Sequence, residues 1–253
     1  MKKVLTATKL FTALGVFLIA GGVSAYVLLN PERTWDSAPI YIVDNRGMAS
    51  ITDSDGGVVA TINAIKSNQA WNGAGSGTVI DARAGSVANW QLGDGIPMLN
   101  FSDPVHACNG NCLAATFTGF YQQRNDGSFR IFDADIVTNS RFAWTSTSEP
   151  GGCSGEFHIE GVMVHETGHG LGLGHTNVSG ATMYPSVSSC NNGPASIAQD
   201  DKNGLNALYS SGGNDGGTPP PICTLAQRGE VCNADNECCS GKCRGRSSDK
   251  TCK

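Results

Sequence analysis

Three histidines and a glutamate stand close together in the stretch MVHETGHGLGLGHTN, which runs from Met163 to Asn177. The chain has 5 histidines in all, so this concentration needs a chemical reason. His165 and His169 are four residues apart, and on a helix that spacing puts two side chains on the same face. Two imidazoles placed in this way can bind one metal ion, and imidazole suits zinc.

Two histidines alone would leave zinc under-coordinated, so a third ligand is required. A catalytic zinc site has three protein ligands and an open fourth position. His175 lies six residues after His169, too far along to share its helical face, so the chain must turn between them. Gly172 lies in this interval, and glycine commonly ends helices because it accepts positive φ. We predict one catalytic Zn²⁺ bound by His165, His169 and His175, with Gly172 in the turn that ends the helix.

Glu166 directly follows the first histidine, where its carboxylate can reach a water molecule on the metal without being a ligand. Zinc bound by three neutral imidazoles lowers the pKa of its water to about 7. Glu166 can then accept a proton as the water attacks a peptide carbonyl, and pass that proton to the leaving amine. The pattern indicates hydrolysis of peptide bonds by zinc-activated water, with Glu166 as the general base.

The full string His-Glu-x-x-His-x-x-Gly-x-x-His, followed by Met183 in ATMYPS, resembles the signature of the metzincin zinc endopeptidases. Met183 is similar to the methionine of their Met-turn, a tight turn that packs beneath the zinc. Met-Tyr-Pro at 183–185 resembles the matrixin branch, and the resemblance extends over roughly 38–209. It implies a zinc metalloendopeptidase with a twisted, mixed, zincin-like sheet and three helices. The substrate would be a protein or peptide that lies extended along an edge strand.

The elements that must position these residues follow from the spacing of apolar residues. β-Branched and alternating runs predict strands, and apolar residues three or four apart predict helices. The strand candidates are 38–45 and 77–85, and the helix candidates are 54–71, a segment from about Phe157, and 196–209. Strands mixed with three helices predict an α+β fold.

Residues 115–139 predict a hairpin, because two alternating runs meet at Asn125-Asp126-Gly127, a strong turn signal. The second arm of this hairpin, Phe129 to Val137, is our candidate for the edge strand that binds the substrate. A plain core strand explains the same arm almost equally well.

Gly161 lies one turn before the first zinc histidine. In the metzincins, which this sequence resembles, the residue at this position often borders the pocket for the side chain that follows the scissile bond. Because glycine has no side chain to close the pocket, we expect a large apolar residue to be accepted there.

Two acidic pairs, Asp53 with Asp55 and Asp133 with Asp135, are candidate ligands for Ca²⁺, which favours carboxylate oxygens. Aspartate is also common where it caps turns and helix starts. We favour the capping interpretation and leave calcium as the alternative.

The chain divides into four parts. Residues 1–25 are typical of a signal peptide, with lysines, an apolar run and small residues before the cleavage point. The segment 26–210 is long enough for one substantial core, and the Gly/Pro-rich 211–221 is typical of a linker before a last part, 222–253. We expect a secreted, extracellular protein without stable membrane insertion once the signal is cleaved. An uncleaved N-terminal anchor is the alternative.

The 10 cysteines fit an oxidising compartment, and their even number suggests disulfides. Four stand in the middle of the chain, where three pairings are possible, and we favour Cys108–Cys112 and Cys153–Cys190. The other six lie in the last 31 residues, a segment too short to bury a sufficient core without disulfides. Their spacing, with an adjacent pair, resembles inhibitor cystine-knot modules (knottins). That resemblance implies the pairs Cys223–Cys239, Cys232–Cys243 and Cys238–Cys252.

The net charge of -5 gives no electrostatic reason to expect nucleic acid as a partner. The knottin-like module is basic, so it could bind an anionic surface or substrate, although a solvated face explains the charge as well. Two functions other than proteolysis also remain open. The knottin-like module could act as a binder or toxin on a scaffold, or the zinc site could be an amidase on small or cell-wall peptides.

Overall fold

The computed structural model describes residues 26–51, 55–149, 151–209, 243–244 and 251–252. The predicted signal peptide at 1–25, the predicted linker at 211–221 and nearly all of the predicted C-terminal module lie outside these ranges. The three predicted cystine-knot pairs also fall outside the described side chains. Among the helices in the described part, none is both long and apolar enough to cross a membrane.

Three α-helices and a set of short strands form the described part of the chain. The helices are α1 (Val58–Lys66), α2 (Ile159–Gly170) and α3 (Gln199–Tyr209). The strands are β1 (Val27–Leu28), β2 (Arg33–Trp35), β3 (Ile40–Asp44), β4 (Asp81–Gly85), β5 (Met98–Asn100), β6 (Ala114–Thr116), β7 (Tyr121–Gln123), β8 (Phe129–Ile131), β9 (Ile136–Thr138), β10 (Trp144–Thr145), β11 (Phe157–His158), β12 (Leu173–Gly174), β13 (Cys243–Arg244) and β14 (Thr251–Cys252). Strands this short are not stable alone, so the sheets depend on packing against the helices.

The main sheet has five strands in the order β4-β3-β5-β9-β6. Strand β3 pairs in parallel with β4 and β5, and β5 pairs in parallel with β9. Strand β6 pairs antiparallel with β9 and forms one edge of the sheet. This mixed sheet, together with the three helices, confirms the predicted α+β class.

The predicted hairpin turns where expected, but its arms divide between two sheets. Strands β7 and β8 pair antiparallel across a turn in which Gly127 has φ +89°. They belong to a second sheet in the order β2-β8-β7, whereas β6 and β9 belong to the main sheet. The prediction that Phe129 to Val137 forms the substrate-binding edge is therefore wrong, because β8 is central and β9 is interior. In the main sheet the edges are β4 and β6. The prediction failed because an alternating pattern indicates a half-buried strand but not its place in a sheet.

Helix α1 is shorter than the predicted 54–71. The two carboxylate oxygens of Asp55 accept hydrogen bonds from backbone N–H groups at the helix start, each at 2.9 Å, and so cap it. Trp71 lies beyond the helix, in a short 3₁₀ turn. There its indole Nε1 donates to the carbonyl oxygen of Val164 at 2.7 Å, which ties this segment to α2.

The hydrophobic core lies where α1 and α2 pack on the main sheet. Tyr41, Leu99 and Ile136 from the sheet are fully buried, as are Ile65 of α1 and Met163 of α2. Full burial of one such side chain contributes roughly 1.5–3 kcal/mol. Helix α2, buried on most of its surface, is therefore held in place by contacts on several sides.

Strand pairing and disulfides connect segments of the chain at short and long range. Strand β1 pairs antiparallel with β12, and β2 pairs in parallel with β8, so the segment 27–35 contacts two strands that lie about 100 residues or more further along the chain. Disulfides link Cys108 to Cys112 and Cys153 to Cys190, the same pairs that the sequence favours. Near the C-terminus, β13 and β14 form an antiparallel pair of their own.

Candidate active site

Helix α2 carries the first two histidines, and its small residues allow close packing around it. A Cβ on Gly168 would lie 2.4 Å from Met183 Sδ and 2.5 Å from the ring of Trp71. A Cβ on Gly170 would lie 2.1 Å from the hydroxyl oxygen of Tyr41. These contacts are possible only with glycine, and they fix the position of α2 and its histidines within the core.

The turn after α2 sends the chain back toward the helix. Gly172 has φ +105°, a conformation that glycine adopts readily and other residues rarely adopt. A Cβ there would also lie 2.7 Å from the carbonyl oxygen of Arg33, so a side chain is excluded sterically. Strand β12 follows and pairs with β1, and His175 comes directly after it.

The three imidazoles converge on one point. His175 Nε2 lies 3.2 Å from His165 Nε2 and 3.1 Å from His169 Nε2. In a tetrahedral zinc site, with Zn–N distances of about 2.0–2.1 Å, the ligand nitrogens lie about 3.3 Å apart. The structure thus brings together the three histidines that the sequence predicts as ligands, at a spacing that suits zinc.

Main-chain carbonyls determine which nitrogen of each ring faces this point. His165 Nδ1 lies 2.6 Å from the Thr182 carbonyl oxygen, and His169 Nδ1 lies 2.8 Å from that of Leu173. Because a carbonyl oxygen only accepts hydrogen bonds, we assign the proton to both Nδ1 atoms and a lone pair to both Nε2 atoms. Both lone pairs lie within 3.2 Å of His175 Nε2, and one shared cation can accept a lone pair from each of the three nitrogens. The residues therefore fit a metal ion such as Zn²⁺.

Burial favours the neutral form of these imidazoles. Desolvation lowers the pKa of His169, an effect that the charge of Glu166 opposes and His165 reinforces. Desolvation also lowers the pKa of His175, with a further contribution from His169. A metal binds the neutral imidazole, so the environment of the rings favours the ligand form.

Met183 lies in a turn that the last helix holds in place. Its side chain is buried, and its carbonyl oxygen accepts a hydrogen bond from the N–H of Thr176 at 2.9 Å. Asp201, in the first turn of α3, accepts bonds from the N–H groups of Thr182 and Met183 at 2.8 and 3.0 Å. Since Thr182 also supplies the carbonyl that orients His165, α3 supports the histidine site through Asp201.

Glu166 contacts the edge strand as well as flanking the first histidine. Glu166 is only 6% exposed to solvent. Thr116 Oγ1 on β6 lies 2.6 Å from Glu166 Oε2 and 2.9 Å from the Glu166 carbonyl oxygen. The sequence did not indicate this contact, because Thr116 lies 50 residues before Glu166 and outside the histidine string. No local pattern in the sequence could have found it.

An apolar cleft of about 540 Å³ adjoins the site. Glu166 and the edge-strand residue Ala114 are part of its lining. So are Val162 and the rings of Phe142 and Phe157, whose centroids are 5.5 Å apart in an edge-to-face contact. Such a cleft can take an apolar side chain of a ligand next to the reacting groups.

Gly161 lines this cleft at the expected position. A Cβ on Gly161 would lie 3.1 Å from Asn192 Oδ1 and 3.6 Å from Pro194 Cβ. The missing side chain thus lets the short 3₁₀ helix Gly193–Ala195 approach α2 and form one wall of the cleft. That the cleft accepts a large apolar residue stays a prediction.

The acidic residues considered as calcium ligands act as caps of helices and turns. Asp55 caps α1, while Asp133 and Asp135 accept hydrogen bonds from backbone N–H groups of the loop 93–98. Burial, with repulsion from Asp135, raises the pKa of Asp133 to about 7. Burial raises the pKa of Asp135 to about 6. Asp53 lies outside the described residues.

The fold and the site together define a class of protein: an α+β domain whose central helix and following turn hold three imidazoles beside a glutamate. Residues 100–210 match the matrixin family of peptidases. This segment contains the edge strand β6, the three histidines and the Met183 turn. Residues 100–210 are therefore similar to a matrixin domain, and the similarity includes the whole histidine site.

Curated relatives from plants and animals match shorter segments. Metalloendoproteinase 2-MMP of Arabidopsis thaliana is 41% identical over 71 residues, which are 28% of this chain and 18% of that protein. Metalloendoproteinase 1 of Glycine max is 47% identical over 53 residues, or 21% of this chain and 17% of that protein. Neutrophil collagenase of Homo sapiens is 37% identical over 80 residues, or 32% of this chain and 16% of that protein. Each match thus spans less than a fifth of the relative's own length.

Proposed function

We propose that this chain is a secreted zinc-dependent endopeptidase in which His165, His169 and His175 bind one Zn²⁺ and Glu166 is the general base. The observation that carries the proposal is the convergence of three Nε2 atoms, with separations of 3.1 and 3.2 Å about His175. The match to the matrixin family supports a zinc-dependent endopeptidase in general. The apolar cleft beside Glu166 also supports the proposal, because it could take up an apolar side chain of a peptide substrate.

The residues of the site divide the chemistry between them. When bound, zinc would act as a Lewis acid that polarises the scissile carbonyl and lowers the pKa of a water molecule. Glu166 accepts the proton of that water as its oxygen attacks the carbonyl carbon, and then donates the proton to the leaving amine. His165 and His169 hold their orientation throughout, because each donates its Nδ1 proton to a fixed main-chain carbonyl.

Strand β6 offers the substrate a partner for pairing. Within the main sheet it pairs with β9 on one side only. An extended peptide can add antiparallel to such an edge through main-chain hydrogen bonds. The side chain after the scissile bond then enters the apolar cleft. We expect large apolar residues at this position, and a peptide-library profile that prefers only small residues would contradict that expectation.

Exchange of Glu166 for glutamine tests the central role. Glutamine has nearly the same shape but cannot accept the proton, so we expect kcat to fall by about 10²–10⁴ while one zinc per chain is retained. The measurement is cleavage of casein and of a diverse proteome by the purified full chain, with zinc determined by mass spectrometry. A Glu166→Gln protein that cleaves as fast as the unchanged protein would overturn the proposal.

The same experiment separates the two alternative functions. A binding or toxin-like protein that acts through the module 222–253 would keep its effect on a target after Glu166→Gln. A zinc amidase would leave casein and gelatin intact and would hydrolyse small amides or cell-wall peptides. Digestion of both proteins, abolished by a zinc chelator, supports the endopeptidase.

Secretion and the domain layout rest on the sequence pattern. We propose a signal peptide at 1–25, a catalytic domain at 26–210, a linker at 211–221 and a disulfide-rich module at 222–253. N-terminal sequencing of protein recovered from the culture medium should begin at Tyr26. Protein that stays with the cell membrane, with residues 1–25 attached, would instead indicate an uncleaved anchor.

A further inference from the structure

The general base contacts a side chain that lies outside the histidine string. Thr116 Oγ1 is 2.6 Å from Glu166 Oε2 and 2.9 Å from the Glu166 carbonyl oxygen. A hydroxyl has one proton, so the two oxygens compete for it. Hydrogen bonds from a hydroxyl to a carboxylate are about 2.5–2.7 Å long and roughly twice as strong as neutral ones. The shorter contact therefore marks the carboxylate as the main acceptor.

Thr116 is the one described residue whose side chain donates a hydrogen bond to this carboxylate. Its backbone is fixed on both sides. Thr116 is the register partner of the buried Ile136, and the N–H of Phe117 donates to the Asp135 carbonyl oxygen at 2.8 Å. A β-branched side chain also has few χ1 rotamers. The hydroxyl is thus held at a defined point beside α2.

We propose that Thr116 is a positioning residue for Glu166: its hydroxyl holds Oε2 against the edge strand and so directs Oε1 toward the attacking water. This inference rests on the proposed role of Glu166 as general base. Glutamate has three side-chain torsions, and without the bond its carboxylate would sample several rotamers. A displacement of about 1 Å in a reacting group can lower a rate about 100-fold.

The position of Thr116 also links the base to the substrate. Strand β6 is the edge along which the peptide is proposed to lie, and the same strand holds the carboxylate through its last residue. The scissile carbonyl and the general base are therefore both positioned by strand β6. A shift of the edge strand would carry both groups together instead of separating them.

Isosteric substitution tests this role. Thr116→Val keeps the shape and removes the hydroxyl, so we expect kcat to fall about 10- to 100-fold with KM changed less than about twofold and zinc retained. Thr116→Ser keeps the hydroxyl and should restore most of kcat. Thr138→Val is the matched control, because Thr138 lies on the neighbouring strand β9 and its hydroxyl has no hydrogen-bond partner among the described residues. Its kcat should equal that of the unchanged protein.

A purely structural role makes a different prediction. If the hydroxyl only ties β6 to α2 through the Glu166 carbonyl, Thr116→Val lowers the melting temperature and leaves kcat as it is in the unchanged protein. A Thr116→Ser protein as slow as the valine variant would likewise overturn the inference.

A second readout does not depend on activity. In a double-mutant cycle of thermal unfolding, Thr116→Val should cost less stability when Glu166 is already alanine, because the carboxylate partner is gone. Additive effects would overturn the inference. If no variant and not even the unchanged protein hydrolyses peptides, the proposed function fails, while the unfolding cycle still reports whether the contact exists.

Discussion

The carbonyl oxygens that orient His165 and His169 belong to Thr182 and Leu173, two residues outside α2. Through each hydrogen bond, the position of a main-chain segment determines the orientation of an imidazole ring. Such supporting contacts typically change metal affinity about 10- to 100-fold when they are lost. No side-chain substitution can delete a main-chain carbonyl, so the contacts must be tested through the residues that hold those segments.

Asp201 offers such a test for His165. Its Oδ1 accepts the N–H of Met183, and its Oδ2 accepts those of Thr182 and Ala198. Asp201→Asn leaves one oxygen to accept and turns an N–H₂ group toward a backbone donor. We expect a loss of about 1–3 kcal/mol in the free energy of unfolding and about tenfold weaker zinc binding.

Urea unfolding and competitive zinc titration measure both effects of Asp201→Asn. Asp126→Asn is the control, because it makes the same chemical change at an exposed turn where one oxygen accepts the N–H of Ser128. It should change stability by less than about 0.5 kcal/mol. Equal zinc affinities for the two variants would refute the role assigned to Asp201.

Among the elements, the turn between α2 and β12 has the strictest requirement. Gly172→Ala combines an unfavourable φ of +105° with a Cβ placed 2.7 Å from the Arg33 carbonyl oxygen. We expect it to destabilise the domain by more than about 1 kcal/mol and to weaken zinc binding, because His175 moves with the turn. Gly127→Ala is the matched control, with φ +89° and nothing within 4 Å of the added carbon. Zinc affinity should drop only in the first variant, as measured by titration.

The loop cap formed by Asp133 and Asp135 predicts how stability depends on pH. The folded-state pKa of Asp133, about 7, lies above the value of about 3.9 expected in the unfolded chain. The folded state therefore holds this proton more tightly, and the stabilisation is complete below about pH 4 and is lost as pH rises through the folded pKa.

Asp133→Asn should accordingly flatten the fall in stability between pH 5 and pH 8. We expect a difference of about 1–2 kcal/mol in that fall, because asparagine does not titrate. Urea unfolding at four pH values, in zinc-saturated and calcium-free buffer, measures the free energy of unfolding of both proteins. Groups that do not interact with Asp133 cancel in the comparison, so parallel curves would mean that Asp133 is already ionised at pH 5.

At the scale of the whole molecule, two disulfides of different span constrain the chain. Cys153 and Cys190 are 37 residues apart, whereas Cys108 and Cys112 are 4 apart. The chain-entropy model gives about 4 kcal/mol for the longer loop and about 2 kcal/mol for the shorter one. Replacement of each pair by serines should therefore lower the melting temperature more for Cys153–Cys190. The opposite order in a calorimetric scan would contradict this entropic account.

The parts of the fold that were predictable are those coded by local spacing. The string from His165 to His175 could be interpreted because ligand geometry on a helix depends on neighbours three or four residues away. The turn at Asn125-Asp126-Gly127 was predictable for the same reason, since turn chemistry is local.

The parts that were missed depend on pairing between distant segments. Strands β1 and β2 have two or three residues each, too few for a periodic pattern, and their partners β12 and β8 lie far along the chain. The edge position of β6 is set by the order of the sheet, which alternation does not encode. The contact from Thr116 to Glu166 was missed for that reason, because it exists only once β6 lies beside α2.

A ribosome makes Val27 and Leu28 early, and their partners Leu173 and Gly174 near the end of the catalytic domain. The turn that presents His175 is therefore braced only after α2 has been synthesised, and the helix that carries Asp201 comes later still. A nascent chain therefore contains His165 and His169 before the turn that positions His175 is complete and supported by α3. If the histidines bind zinc as proposed, the complete site would form only when synthesis of this domain is nearly finished.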